Sequence, residues 1–156
     1  MSDTPSGDHD ASIRPGEKSV ALPDHYDAQV YFIGRIRTPW TDRGACPRRG
    51  DPQNGPVCIL DIDPRWADAL SGIGENANLQ VLYWMDQARR DLVVQTPRHD
   101  GSVVGTFALR SPVRPNPIAS SIVTLLEVEG THLKVRGLDC LDGTPMVDLK
   151  PEHPRG

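Results

Sequence analysis

Two stretches of this chain have the residue types and spacing of ligand-binding loops. The first reads Arg-Ser-Pro-Val-Arg-Pro-Asn-Pro-Ile over residues 110–118. Its three prolines fix φ at three places and restrict the residues before them, so the backbone is nearly predetermined. Arg110 and Arg114 are presented on a stiff, extended segment, and Asn116 adds both donors and acceptors. Such a loop loses little entropy when it binds, and guanidinium groups match carboxylates and phosphates two-pronged. The same residues also fit a proline-rich connection with two solvated arginines, and both readings stand at this point. The second stretch runs from Asp139 to Pro151 and crowds Asp139, Asp142, Asp148 and Lys150 around Asp142-Gly143-Thr144-Pro145. Asp-Gly signals a tight turn and Thr-Pro an extended exit. A hairpin with Asp142-Gly143 at its tip and a surface Asp148–Lys150 pair accounts for it equally well. A third piece joins Ile33-Gly-Arg-Ile-Arg-Thr-Pro39 to Cys46-Pro-Arg-Arg49, again rich in arginine.

The charge supports a local site rather than a basic surface. Residues 1–27 hold six acids against two bases, which leaves fifteen of each in residues 28–156. That balance lacks the footprint of an autonomous nucleic-acid binder, although a local basic cleft is compatible with it. Lysine occurs only at 18, 134 and 150, and every other base is arginine, which fits a functional preference or a codon bias. Cys46, Cys58 and Cys140 show no C-x-x-C spacing, and the five histidines show no ligand spacing, so neither a disulfide framework nor a metal is signalled. No apolar run is long enough to span a bilayer, and the acidic N-terminus is unlike a signal peptide; a reducing cytoplasm and no membrane partner are expected.

A chain of 156 residues fits one domain, and its 15 prolines and 14 glycines favour turns and short strands. Residues 1–25 are polar and read as a disordered acidic tail, with the fold over 26–156. Strands are expected at Val30–Arg37, Val57–Ile62, Leu79–Met85, Val103–Leu109 and Ile118–Val128. The last turns at Glu129-Gly130 into His132–Leu138 as a hairpin. The density of Val81, Leu82, Tyr83 and Trp84 suits a strand buried on both faces. Asp63 as N-cap, Pro64 behind it and Trp66, Ala67 and Leu70 on one face predict a helix stopped at Gly72 and Gly74. A long loop covers Thr38–Pro56. The pattern is mainly β: a small single-domain barrel or curled sheet with one or two short helices. No strand is followed by G-x-G-x-x-G, so a Rossmann cofactor site is not expected.

Taken together, these segments resemble the TrmO/YaeB family, the TsaA-like domain. That family opens on I-G-x-I-x-(S/T)-P and P-R-(Q/R). It continues with G-x-F-(A/T)-x-R-S-x-x-R-P-N-P-I-G and D-x-x-D-G-T-P-x-x-D-(I/L)-K-P-Y. Ile33–Pro39, Pro47-Arg48-Arg49, Gly105–Ile118 and Asp139–Pro151 match in order and spacing, over roughly residues 30–151. The chain departs from the pattern at Ala119, Glu152 and Asp86, where the family often has Gly, Tyr and His.

The resemblance implies a non-Rossmann methyltransferase that uses S-adenosyl-L-methionine, forms a homodimer and acts on N6 of threonylcarbamoyladenosine at position 37 of tRNA. Carried over residue by residue, Arg48, Arg49, Asp86, Gln87, Arg110, Asp139, Cys140, Leu141 and Asp142 would hold the cofactor. Arg114, Asn116 and Lys150 would face the substrate, and Asp142 is the candidate general base. Two other readings stand beside this one. One is a methyltransferase of the same barrel acting on a small molecule, and the other is a non-catalytic module that binds S-adenosylmethionine.

Overall fold

A computed structural model describes residues 13–97 and 101–153. Among them are nine strands: β1 (Lys18–Ser19), β2 (Gly34–Arg37), β3 (Cys58–Ile62), β4 (Asn78–Trp84), β5 (Leu92–Gln95), β6 (Val104–Gly105), β7 (Ile118–Glu129), β8 (His132–Arg136) and β9 (Thr144–Pro151). The chain divides into two compact units, residues 28–86 with 118–156 and residues 1–27 with 87–117.

The larger unit is a closed antiparallel barrel of six strands in the order β2-β3-β8-β7-β4-β9, with β9 returning to β2. Alternation builds its wall. In β3, Cys58, Leu60 and Ile62 point inward, and in β4, Leu79, Val81 and Tyr83 do the same. Ile36, Val123, Leu133, Val135 and Met146 complete the buried set. The expectation that β4 is buried on both faces is corrected here: Leu82 and Trp84 lie half-buried on the outer face, because a barrel wall covers one side only.

The hairpin of β7 and β8 forms as expected, with Glu129 opposite His132 and Gly130 at φ +59°. The helix over Pro64–Leu70 is a 3-10 helix, capped by the Asp63 side chain accepting from the Arg65 N–H. Of the two readings of Asp142-Gly143, the hairpin is not the one found. The turn is there, with Gly143 at φ +83°, but β9 leaves it to pair with β2 and β4. Asp148 and Lys150 make the foreseen exposed ion pair at 3.1 Å.

Trp84 lies opposite Ile118 at the ends of β4 and β7, so the chain between them leaves and re-enters the barrel wall at neighbouring points. That excursion carries β5 and β6, which together with β1 form the sheet of the smaller unit, in the order β1-β5-β6. The strand expected over Val103–Leu109 is only Val104–Gly105, followed by a 3-10 turn at Thr106–Ala108 that leaves Phe107 exposed. Residues 13–25 also differ from the expected tail. Lys18 and Ser19 pair with β5, Arg14 donates to the Thr96 carbonyl at 2.7 Å, and Glu17 accepts from the Thr96 N–H at 3.0 Å. Polar contacts to a strand end, not apolar burial, order this segment. Residues 1–12 lie outside the described residues. No helix among the described residues is long and apolar enough to cross a membrane.

Candidate functional site

Within the barrel, the candidate residues converge where β2 ends and β9 begins. Thr38, just past β2, donates its hydroxyl to the Cys140 carbonyl at 2.8 Å, and its N–H goes to Asp142 Oδ1 at 3.1 Å. Asp142 N–H donates to the Trp40 carbonyl and Gly143 N–H to the Ile36 carbonyl, both at 2.7 Å. Thr144 closes the turn by donating its N–H and its hydroxyl to the Leu141 carbonyl. The 139–143 segment is therefore rigid, with its backbone tied to β2 on one side and to its own turn on the other. Asp142 caps the end of β2 with one carboxylate oxygen, so part of its acceptor capacity serves the turn rather than an incoming substrate.

Asp139 sits half-buried at the start of this segment. Its Oδ1 accepts from the Tyr83 hydroxyl at 2.8 Å, and the same phenol oxygen lies 2.8 Å from Ser121 Oγ. Burial, and then the charge of Asp139, push the Tyr83 phenol far up, so it remains a donor across the working pH range. Residues 38–56 run alongside. Gly50 packs onto the backbone of Gly137 so closely that a Cβ would have no room. That contact seats the backbone of Gly50 against the barrel beside Arg48 and Arg49, which are both exposed. Asp86 is exposed just beyond β4.

Lys150 is not brought to this end. It lies six residues along β9 from Thr144, about 20 Å at strand rise. There it lines an open cleft of ≈ 350 Å³ with Ile33, Trp66, Leu70, Ile73 and Leu149.

A further cluster was not singled out from the sequence. Phe32 and Trp84 place their ring centroids 6.3 Å apart at 51°, and the Arg35 guanidinium lies 5.8 Å over the Phe32 ring. Arg35 also donates to the Gly143 carbonyl at 3.3 Å, so one side chain links this aromatic pair to the Asp142-Gly143 turn. Phe32 is 40% exposed. The interleaving of Phe32, Arg35 and Arg37 was the available signal.

The smaller unit holds Gln87, Arg110, Arg114 and Asn116. Arg114 donates to the carbonyls of Leu109 and Ser111 at 2.9 and 3.0 Å, so its charge shapes its own loop. Arg90, which the sequence reading did not select, donates to the Pro115 carbonyl at 2.6 Å and to Asn116 Oδ1 at 3.2 Å, and its guanidinium stacks over Tyr26. Buried Gln95 supports the same loop through the Val113 carbonyl at 2.7 Å. Arg110 and Gln87 are exposed.

The thiols respond to this packing. Burial raises Cys58 to about 11 and Cys140 to about 12. Cys46 is raised by burial and then by Asp139 and Asp42, but it is only half-buried. Alkylation of native protein near pH 8 is therefore expected to label Cys46 slowly and the other two only after unfolding. Mass mapping that finds Cys140 labelled first would contradict this packing.

A family model described as tRNA-methyltransferase O N-terminal domain matches residues 35–155. A "Probable S-adenosyl-L-methionine-binding protein VirR" of Rhizobium radiobacter is 49% identical over 93% of this chain and 82% of its own length. The "tRNA (adenine(37)-N6)-methyltransferase" of Escherichia coli is 37% identical over 81% of this chain, which spans 58% of that protein. A solved structure named "Crystal structure of TrmO" superposes with a TM-score of 0.67 at 32% identity, over 83% of this chain and 59% of that one. The chain thus spans little more than half of these last two proteins. It belongs to the tRNA-methyltransferase O N-terminal domain family.

Proposed function

We propose that this chain is an S-adenosylmethionine-dependent methyltransferase that methylates N6 of threonylcarbamoyladenosine at position 37 of tRNA. The observation that carries the reading is the link made by Arg35 between the Phe32–Trp84 pair and the rigid Asp142-Gly143 turn. It sets a surface suited to stacking a nucleobase beside a segment suited to a nucleoside cofactor. The name of the Escherichia coli relative supports N6 of adenine 37 of tRNA as the methylated position, and that of the Rhizobium radiobacter relative supports the cofactor.

The donor set fits the cofactor. Arg48 and Arg49 would take its carboxylate, since exposed guanidinium forks bind carboxylates two-pronged. The Asp139 carboxylate, half-buried and already oriented by Tyr83, would take ribose hydroxyls. The locked backbone of 140–142 would flank the adenine. When bound, S-adenosylmethionine supplies a methyl group that is electrophilic without further activation. What remains for the chain is alignment: holding the acceptor nitrogen in line with that methyl and excluding water. As the N–C bond forms and the sulfonium leaves as a thioether, the N6–H proton must also depart, and the Asp142 carboxylate, one oxygen of which accepts from the Thr38 N–H, is the candidate acceptor for it.

A test uses purified protein, labelled S-adenosylmethionine and two tRNAs, one with threonylcarbamoyladenosine and one with plain adenosine at position 37. Transfer to the first alone is expected. Phe32→Ala is expected to raise the KM for this tRNA about tenfold, the scale of one lost stacking contact. The KM for S-adenosylmethionine should stay put. Equal activity on both tRNAs would remove the assigned acceptor, and an unchanged KM in the variant would remove the stacking role.

A second reading is favoured by the even charge of residues 28–156: the same barrel methylates a small molecule. Cofactor binding without transfer to either tRNA is the result that would support it.

A further inference from the structure

We propose that Tyr83 and Ser121 are positioning residues that set the Asp139 carboxylate for the ribose of the cofactor, a role that rests on the reading of Asp139 given above. A phenol has one proton, and here it points to Asp139 Oδ1 at 2.8 Å. The Ser121 hydroxyl, 2.8 Å from the same phenol oxygen, must then be the donor of that bond. The result is a directed chain in which Ser121 donates to Tyr83 and Tyr83 donates to Asp139. Its members come from three places in the sequence: β4, β7 and the connection between β8 and β9.

The chain has two consequences for Asp139. One oxygen accepts from a donor that is itself held from behind, which favours one setting of the carboxylate about χ2. The other oxygen, Oδ2, makes no hydrogen bond among the described residues and remains available as an acceptor. A carboxylate with one oxygen anchored and one available is the arrangement that recognises a hydroxyl donor, and a ribose diol offers two. Tyr83 is 2% exposed, so it does not present itself to a ligand and acts only through Asp139. The bond between phenol and carboxylate also closes a gap in the core. A buried tyrosine needs a partner for its hydroxyl, and the barrel supplies one that belongs to the site.

The test is calorimetry with S-adenosylhomocysteine and with its 3′-deoxyribose analogue, on wild type, Tyr83→Phe, Ser121→Ala and Asp139→Asn, with thermal melts run on all four. Tyr83→Phe keeps the ring in the core and is expected to weaken S-adenosylhomocysteine about 5- to 20-fold. Ser121→Ala should weaken it about two- to threefold. The decisive readout is discrimination. Wild type should bind the deoxy analogue at least about tenfold more weakly than the parent, and in Tyr83→Phe that ratio should shrink towards one, because the carboxylate is no longer aimed. A merely structural role for Tyr83 leaves the ratio unchanged, and that result overturns the proposal. So does wild-type affinity in both Tyr83→Phe and Ser121→Ala. If Tyr83→Phe fails to fold, the ratio in Ser121→Ala decides in the same way. Asp139→Asn separates the two levels of the account. Wild-type binding by this variant removes Asp139 from the cofactor site and the positioning role with it. Weak binding by Asp139→Asn with an unaltered ratio in the other two removes only the roles of Tyr83 and Ser121.

Discussion

Gly50→Ala is expected to cost the barrel at least about 3 kcal/mol and to abolish measurable binding of S-adenosylhomocysteine at the same time. A Cβ on Gly50 would stand 1.7 Å from the Gly137 carbonyl oxygen and 2.2 Å from its carbon. Both are backbone atoms, so neither can move aside by a change of rotamer. Gly137 is itself held at φ +121°, and a Cβ there would meet the Ile122 carbonyl at 2.9 Å. The strain therefore has only one outlet, which is to push residues 47–50 off the barrel. Arg48 and Arg49 travel with that loop, and this is why stability and binding fall together. Gly44→Ala is the matched control. Its Cβ would meet nothing closer than Asp42 Oδ1 at 3.7 Å, an ordinary contact, and it should stay within about 0.5 kcal/mol of wild type. Urea titrations and calorimetry on both variants check this. A Gly50→Ala protein with wild-type stability and binding would show that the arginine loop is not clamped where the structure has it.

Leu60→Ala is expected to lose about 3–4 kcal/mol, read from denaturant midpoints at unchanged slope. Leu60 is fully buried on β3, opposite Ile36 of β2 and Leu133 of β8. Both neighbours are pinned in ladders, so the barrel can collapse little into the hole. Leu126→Ala, at a residue 41% exposed, should cost less than about 1 kcal/mol. Similar losses in the two variants would mean that the barrel interior is not the core.

The walls of the barrel were legible because they depend on local alternation. Cys58, Leu60 and Ile62 could be assigned inward from their spacing, and Asp63-Pro64 announced the capped helix. A barrel was expected and is found, but which strands close it was not legible, since nothing around Thr144–Pro151 states that it will pair with both β2 and β4. The Asp142-Gly143 turn and its extended exit were read correctly, but not the strands with which that exit pairs. The smaller unit escaped notice because it is assembled from residues 13–27 and 87–117, and the polar bonds of Arg14, Glu17 and Thr96 leave no apolar pattern to read.

At the site, the motifs located the 139–142 segment and the arginine loops. They did not distinguish an arginine aimed at a ligand from one holding its own loop, and Arg114 is of the second kind. Tyr83 was invisible as a polar residue because it stands in an apolar run and its partner, Asp139, is 56 residues away. Phe32 and Arg35 were read as strand and loop residues. Their significance lies in the bond from Arg35 to Gly143, which only the closed barrel creates.

The account stands most directly on the nucleosides of the cell's own tRNA. Total tRNA from the parent strain, from a deletion of this gene and from the deletion carrying the gene back would be digested and analysed by mass spectrometry. The account predicts N6-methylated threonylcarbamoyladenosine in the parent, its loss in the deletion with a matching rise of the unmethylated nucleoside, and its return on complementation. Identical nucleoside profiles in all three strains, from a protein that binds S-adenosylhomocysteine in the test tube, would contradict it.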